Sequence, residues 1–165
     1  MRFNDDDTKR GIEGRYWTDG GVHCVFVEPT NCVYDWRTNT YAWPRRDGKH
    51  RIWQQDGAWL AEWIGENVPA GSVVRLHGLS RGGAVALIAA DYLIEVNYDV
   101  YVDTWGAPKP GRIRHDIPGV DYRLRGDIVP SLPLLYGRPR GRRVRIGSWR
   151  PILAHMDYKP IKGPV

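Results

Sequence analysis

Gly78-Leu79-Ser80-Arg81-Gly82 sets a serine two residues from a glycine on either side. This G-x-S-x-G spacing is that of a nucleophile elbow, a tight strand-to-helix turn that exposes the serine Oγ beside the backbone N–H groups opening the helix. Glycines suit the flanks because a Cβ there would strike the neighbouring strand or helix. A serine hydroxyl attacks poorly unless a base takes its proton and a carboxylate orients that base. In chains built this way the order is serine, acid, histidine. Of five histidines, only His115 and His155 follow Ser80. His115 lies in the charged stretch GRIRHDIPG and would need Asp99 or Asp103 as its acid. His155, in ILAHMDY, comes after every candidate acid and is the favoured base; its structural alternative is a helix cap or a partner for Asp157. Asp127 is the favoured acid, because it follows the strand pattern VDYRLRG and opens the proline-bent turn DIVPSLP, although a plain turn former is also well placed there. Asp103 lies inside an apolar strand, and Asp116 and Asp121 fall in or beside exposed loops.

The elements that must position these residues are legible in part. GGVHCVFVEP, residues 20–29, reads as a strand apolar on both faces. An irregular aromatic and basic stretch follows to about His50. Ile52, Trp59, Leu60, Trp63 and Ile64 share one face of a predicted helix over 52–68, which Pro69 and Gly71 end. SVVRLHGL reads as a short buried strand and RGGAVALIAADYLIEV as the helix after it. Gly83, Ala84 and Ala86 are small enough to let that helix approach a sheet closely. Further strands are expected over 98–108, 120–126 and 143–146, with a proline-rich tail. Strands alternating with helices predict an α/β sandwich: a mostly parallel central sheet, helices on both faces, and a site beyond the carboxyl ends of the strands. The whole chain, 1–165, is expected to form one domain, with no repeat or linker to divide it.

Composition narrows the classes. The 165 residues are 42% hydrophobic and 26% charged, which suits a globular chain and not a disordered one. No apolar run is long enough for a transmembrane segment. The polar start MRFNDDDTKRGIEG lacks the apolar centre of a signal peptide, which predicts a soluble protein that begins in the cytoplasm. Cys24 and Cys32, the two cysteines, imply neither a disulfide framework nor a zinc site. The net charge of +5 is unevenly spread. Between Tyr136 and Pro151, Arg138, Arg140, Arg142, Arg143, Arg145 and Arg150 stand without one acid. Such a run suits phosphates of an anionic lipid surface or of nucleic acid, or else a solvated edge strand. No nucleic-acid-binding module is recognisable.

Several segments in order resemble the class 3 lipase family, the fungal triacylglycerol lipase type of α/β-hydrolase. HGLSRGGAVA is similar to that family's GHSLGGALA, TWGAPKPG to TFGAPRVG, and RGDIVPSLP to the acid turn NDPVPRLP. VEPTNCVYDW resembles FRGTNSxxDW, with Thr30, Asp35 and Trp36 in matching places, and HMDY stands at the position of the late histidine. The resemblance runs from about Val22 to Tyr158. It implies a compact α/β-hydrolase with a triad of Ser80, Asp127 and His155. It implies an oxyanion hole of the Arg81 N–H and Thr30, with Asp35, Trp36, Gly106, Pro108 and Gly111 as structural residues. The chain departs from the family where Glu28 and Pro29 replace an arginine and a glycine; Pro29 lacks an N–H and fixes its φ, while the Thr30 N–H is untouched. Arg81 replaces a leucine and is expected to bring a cation near the site. A small lid, if there is one, falls within residues 37–50.

The activity expected is hydrolysis of a carboxylic ester or lipid through an acyl-enzyme, with no metal or organic cofactor. Trp36, Tyr41, Trp43 and Trp53 are candidates to hold acyl chains or meet a lipid interface, or to pack beneath a loop. Arg45 and Arg46, with Arg81, would favour anionic lipids or acidic esters. Two other readings stand beside this one: a non-lipid acyl hydrolase, such as a thioesterase or a cutinase-like enzyme, and an inactive basic protein that binds nucleic acid.

Overall fold

The computed structural model describes residues 1–4, 12–29, 51–132, 142–147, 155 and 157–159. Seven strands form one sheet in chain order: β1 (Arg2–Asn4), β2 (Glu13–Asp19), β3 (Val22–Val27), β4 (Val73–Leu79), β5 (Asp99–Trp105), β6 (Val120–Leu124) and β7 (Arg142–Ile146). The pairs β1–β2 and β2–β3 are antiparallel, and the remaining four pairs are parallel. The parallel portion is the one expected; β1 and β2 extend it at one edge. Helix α1 (Arg51–Asn67) joins β3 to β4, and α2 (Arg81–Glu95) joins β4 to β5. The link from β5 to β6 carries no helix; residues 106–119 cross as a loop with isolated bends.

The core lies between the sheet and the two helices. Val25, Val27, Val74, Leu76, Val100 and Val102 face Leu60 and Ile64 of α1 and Val85, Ile88 and Leu93 of α2. Each such side chain, once buried, stabilises the fold by about 1.5–3 kcal/mol. Helix α2 is apolar nearly all round, as its sequence predicts for a helix enclosed by sheet, partner helix and loop. Gly57 lets α1 and α2 touch, since a Cβ there would lie 2.5 Å from Ile88 Cγ2. Both described helices share this face. The other face carries aromatic rings, with Trp17 stacked on His77 and Trp105 stacked on Tyr122.

Asp91 is a carboxylate within buried α2, and it holds the helix-free crossover. It accepts hydrogen bonds from the backbone N–H of Arg114 (2.8 Å) and His115 (3.1 Å), from Arg114 Nε (3.0 Å), and pairs with His115 Nδ1 at 3.0 Å. Ile117 then joins the core. A buried charge is tolerated when it is saturated in this way. Among the described residues no helix is long and apolar enough to cross a membrane.

Candidate active site

Ser80 stands where β4 turns into α2, with φ 54° and ψ −127°. A non-glycine residue at such angles is strained by about 1–3 kcal/mol, so its surroundings must hold it there. Its N–H donates to Trp105 O at 2.9 Å, and its carbonyl accepts from the Gly83 N–H at 2.9 Å. The flanking glycines are required by contact. A Cβ on Gly78 would lie 2.5 Å from Gly82 O, and one on Gly82 would lie 2.4 Å from Val27 O. The elbow is thus clamped between the end of β3, the end of β5 and the first turn of α2.

Asp127 follows β6 through the tight turn at Gly126, and His155 reaches it from far along the chain. His155 Nε2 lies 2.7 Å from Ser80 Oγ, and His155 Nδ1 lies 2.8 Å from Asp127 Oδ2. The Asp127 side chain is 1% exposed and that of His155 is 15% exposed, so the acid is enclosed while the base retains an open edge. Asp127 Oδ1 also accepts the Val129 N–H at 2.9 Å, which starts the 3₁₀ turn Val129–Ser131. The turn-forming and charge-holding readings of Asp127 therefore coexist in one side chain. Burial pushes its carboxyl up, but the hydrogen bond and charge of His155, with the bonds from Tyr158 and Val129, bring it below the ordinary carboxylate value.

Tyr158 completes the arrangement, and the sequence reading gave it no role. Its hydroxyl donates to Asp127 Oδ2 at 2.8 Å and accepts the Leu124 N–H at 2.8 Å, tying the acid to the end of β6. Burial raises the phenol far above its ordinary value, and the neighbouring Asp127 adds to the rise, so the hydroxyl remains a donor. Gly106, at φ 61°, makes room: a Cβ there would meet the Tyr158 ring at 2.5 Å and Asp127 Oδ2 at 3.0 Å. The signal in the sequence was an aromatic hydroxyl three residues beyond the favoured histidine.

The alternatives are engaged elsewhere. His115 is held by Asp91. Asp103 pairs with Arg75 at 3.1 Å and accepts the Val120 N–H at 3.0 Å. Asp121 accepts from Thr104 Oγ1 and Arg123 Nε. Asp99, Asp116 and Asp157 are exposed.

Arg81 divides into two parts. Its N–H opens α2 directly after Ser80 and has no intrahelical acceptor. Its side chain does not supply the expected cation at the site. The guanidinium is 5% exposed and bonds Asp56 Oδ2 at 2.6 Å, so α1 neutralises it inside the helix layer. Asp56 was detectable as a carboxylate on the apolar stripe of Ile52 and Leu60. Trp53, offered above as a mouth aromatic, is 2% exposed and belongs to the core, because its helix turns it toward the sheet. Thr30, Trp36, Tyr41, Trp43, Arg45, Arg46 and the candidate lid, residues 37–50, lie outside the described residues.

No protein-family model matches the chain, and a search of curated proteins gives no match. Solved structures do match. Lipase II from Rhizopus niveus aligns with a TM-score of 0.66 at 19% identity, over 90% of this chain and 66% of that one. Lip2 lipase from Yarrowia lipolytica aligns at 0.62 and 20%, over 94% and 68%. The lipase from Rhizopus microsporus var. chinensis aligns at 0.60 and 21%, over 80% and 54%. The chain thus spans between about half and two thirds of the length of these lipases. The fold is the compact α/β-hydrolase-like sandwich of the fungal lipases, and the resemblance read from the sequence holds at the level of the fold.

Proposed function

We propose that this protein is a serine hydrolase of carboxylic esters, a lipase or esterase that works through Ser80, His155 and Asp127. The observation that carries the reading is the continuous hydrogen-bonded chain from Ser80 Oγ through the imidazole to Asp127, at 2.7 and 2.8 Å. Hydrogen bonding of a strained elbow serine to a histidine that a buried carboxylate orients is the arrangement acyl transfer requires. That solved structures sharing the fold are lipases favours the same chemistry.

In this mechanism His155 Nε2 takes the Ser80 proton as Oγ attacks the ester carbonyl. Asp127 keeps the Nδ1 proton in place and stabilises the imidazolium. The tetrahedral oxyanion is held by the Arg81 N–H and by Thr30; a single such donor is worth about 10²–10³ in rate. The C–O bond to the alcohol then breaks, and the alcohol leaves with the proton from Nε2. Water, deprotonated by His155, attacks the acyl-enzyme and releases the acid and the Ser80 hydroxyl.

Labelling with a fluorophosphonate and mapping the modified peptide by mass spectrometry tests the assignment. Modification is expected at Ser80. Ser80→Ala is expected to lose hydrolysis of a chromogenic ester by about 10⁴-fold or more with an unchanged circular dichroism spectrum. Retained turnover in that variant would sink the proposal.

A further inference from the structure

The arginine run that ester hydrolysis leaves unused has a structural setting. Strands β6 and β7 pair in parallel with Asp121 beside Arg143 and Arg123 beside Arg145. Residues two apart on a strand share a face, so these four side chains stand together at the edge of the sheet. Arg123, Arg143 and Arg145 line, with Arg125 and Ser131, a cavity of about 430 Å³ at the carboxyl ends of the two strands. Asp127 reaches its wall, whereas Ser80 and His155 do not.

The charges in this cavity do not cancel. Asp121 engages Arg123 at 2.6 Å and Arg143 at 3.7 Å. Asp127 directs its carboxylate to His155 and Tyr158. Among the described residues no carboxylate pairs with Arg125 or Arg145, and both are exposed. Two guanidiniums thus face the space with their charge uncompensated, while Arg123 and Arg143 are paired with Asp121 beside them. Guanidinium forks converging from a strand and a turn suit a tetrahedral oxyanion with several acceptor oxygens. Two exposed aliphatic side chains, Ile128 at 58% and Leu132 at 42%, are each adjacent in sequence to a residue lining the cavity. Exposed arginines beside exposed aliphatic side chains fit a phosphate attached to apolar matter.

We infer that the β6–β7 cavity binds a phosphate group through Arg125 and Arg145, with Arg123 and Arg143 completing its basic wall, and that a phospholipid head group is its source. The site is separate from Ser80 and does not depend on the ester-hydrolase reading.

The full-length Ser80→Ala variant, which cannot turn over an ester, should be titrated with inorganic phosphate at low ionic strength and followed calorimetrically. Saturable binding is expected. Arg125→Gln or Arg145→Gln added to it should weaken binding about tenfold each, with Arg145→Lys retaining part of the loss. Absence of saturable binding, or equal affinity in the Arg125→Gln/Arg145→Gln variant, overturns the inference. Flotation with phosphatidylcholine vesicles, with and without phosphatidic acid, then identifies the source. Arginine-dependent preference for phosphatidic acid supports the head group. Phosphate binding without that preference keeps the cavity but overturns the lipid source in favour of a soluble phosphate. Salt-sensitive binding of single-stranded DNA with no phosphate saturation overturns both. In the parent chain these two glutamine variants should leave hydrolysis of a soluble ester unchanged, so loss of phosphate binding is distinguishable from loss of catalysis.

Discussion

At the scale of single residues, the proposed chemistry turns on how completely Asp127 is supplied with donors. His155, Tyr158 and the Val129 N–H all address one enclosed carboxylate, which leaves it little freedom to rotate away from the imidazole. Tyr158 touches none of the reacting atoms and acts through the acid, as a positioning residue. Tyr158→Phe keeps the ring against Gly106 but removes the donor and strands the Leu124 N–H. We expect a loss of about 1–2 kcal/mol in urea unfolding and a fall in kcat of about tenfold, with KM unmoved. A stability loss without any change in kcat would assign Tyr158 to the fold alone.

At the scale of elements, the position of Ser80 depends on how α1 and α2 fit. Arg81 and Asp56 form an ion pair at the start of α2, on the side turned away from solvent. Removing one partner leaves a buried charge, so Arg81→Leu is expected to destabilise the protein by about 3–5 kcal/mol. Arg81→Leu/Asp56→Leu should recover most of that loss, because apolar groups of similar volume replace a pair that was costly to desolvate. Chemical denaturation of the three variants measures both effects. Since the guanidinium is spent on Asp56, the ratio of kcat/KM for neutral and anionic esters should be the same in the double variant as in the parent. A shift toward neutral esters would show that the charge still reaches the substrate.

For the molecule as a whole, stability should decline with acid in two steps. Burial holds His77 below its ordinary value of 6.5, against the pull of Asp103. The unfolded chain therefore takes up a proton that the native state refuses. This contribution to stability is present above pH 6.5 and is lost as pH falls from there through the lower native value. Asp91 and Asp127 behave likewise at lower pH. Burial raises both carboxyls, their donors more than offset it, and the native values lie below the ordinary 3.8. Their stabilisation is present above about pH 3.8 and disappears as each native value is crossed. Urea midpoints measured from pH 8 to 3 should begin to fall near pH 6.5, and His77→Gln should flatten that first decline while leaving the later one.

The alternation of apolar strand and helix and the elbow glycines were readable because each is a local pattern with one steric or periodic cause. Strands β1 and β2 were not readable in the polar N-terminal stretch. Their sequences lack a clean period of two, and only the pairing of β2 with β3, of β1 with β2, and the contact of Phe3 with Trp59 and Trp63 make them strands. The fate of Arg81 was hidden for a related reason: a cation next to a nucleophile looks like a substrate contact until the helix facing it is known to hold Asp56. Residue types and spacing thus defined which groups had reactive chemistry, because reactivity is carried by the side chain itself. Folding alone decided which charges were consumed by partners and which were left facing solvent, because that depends on distances between segments remote in the chain.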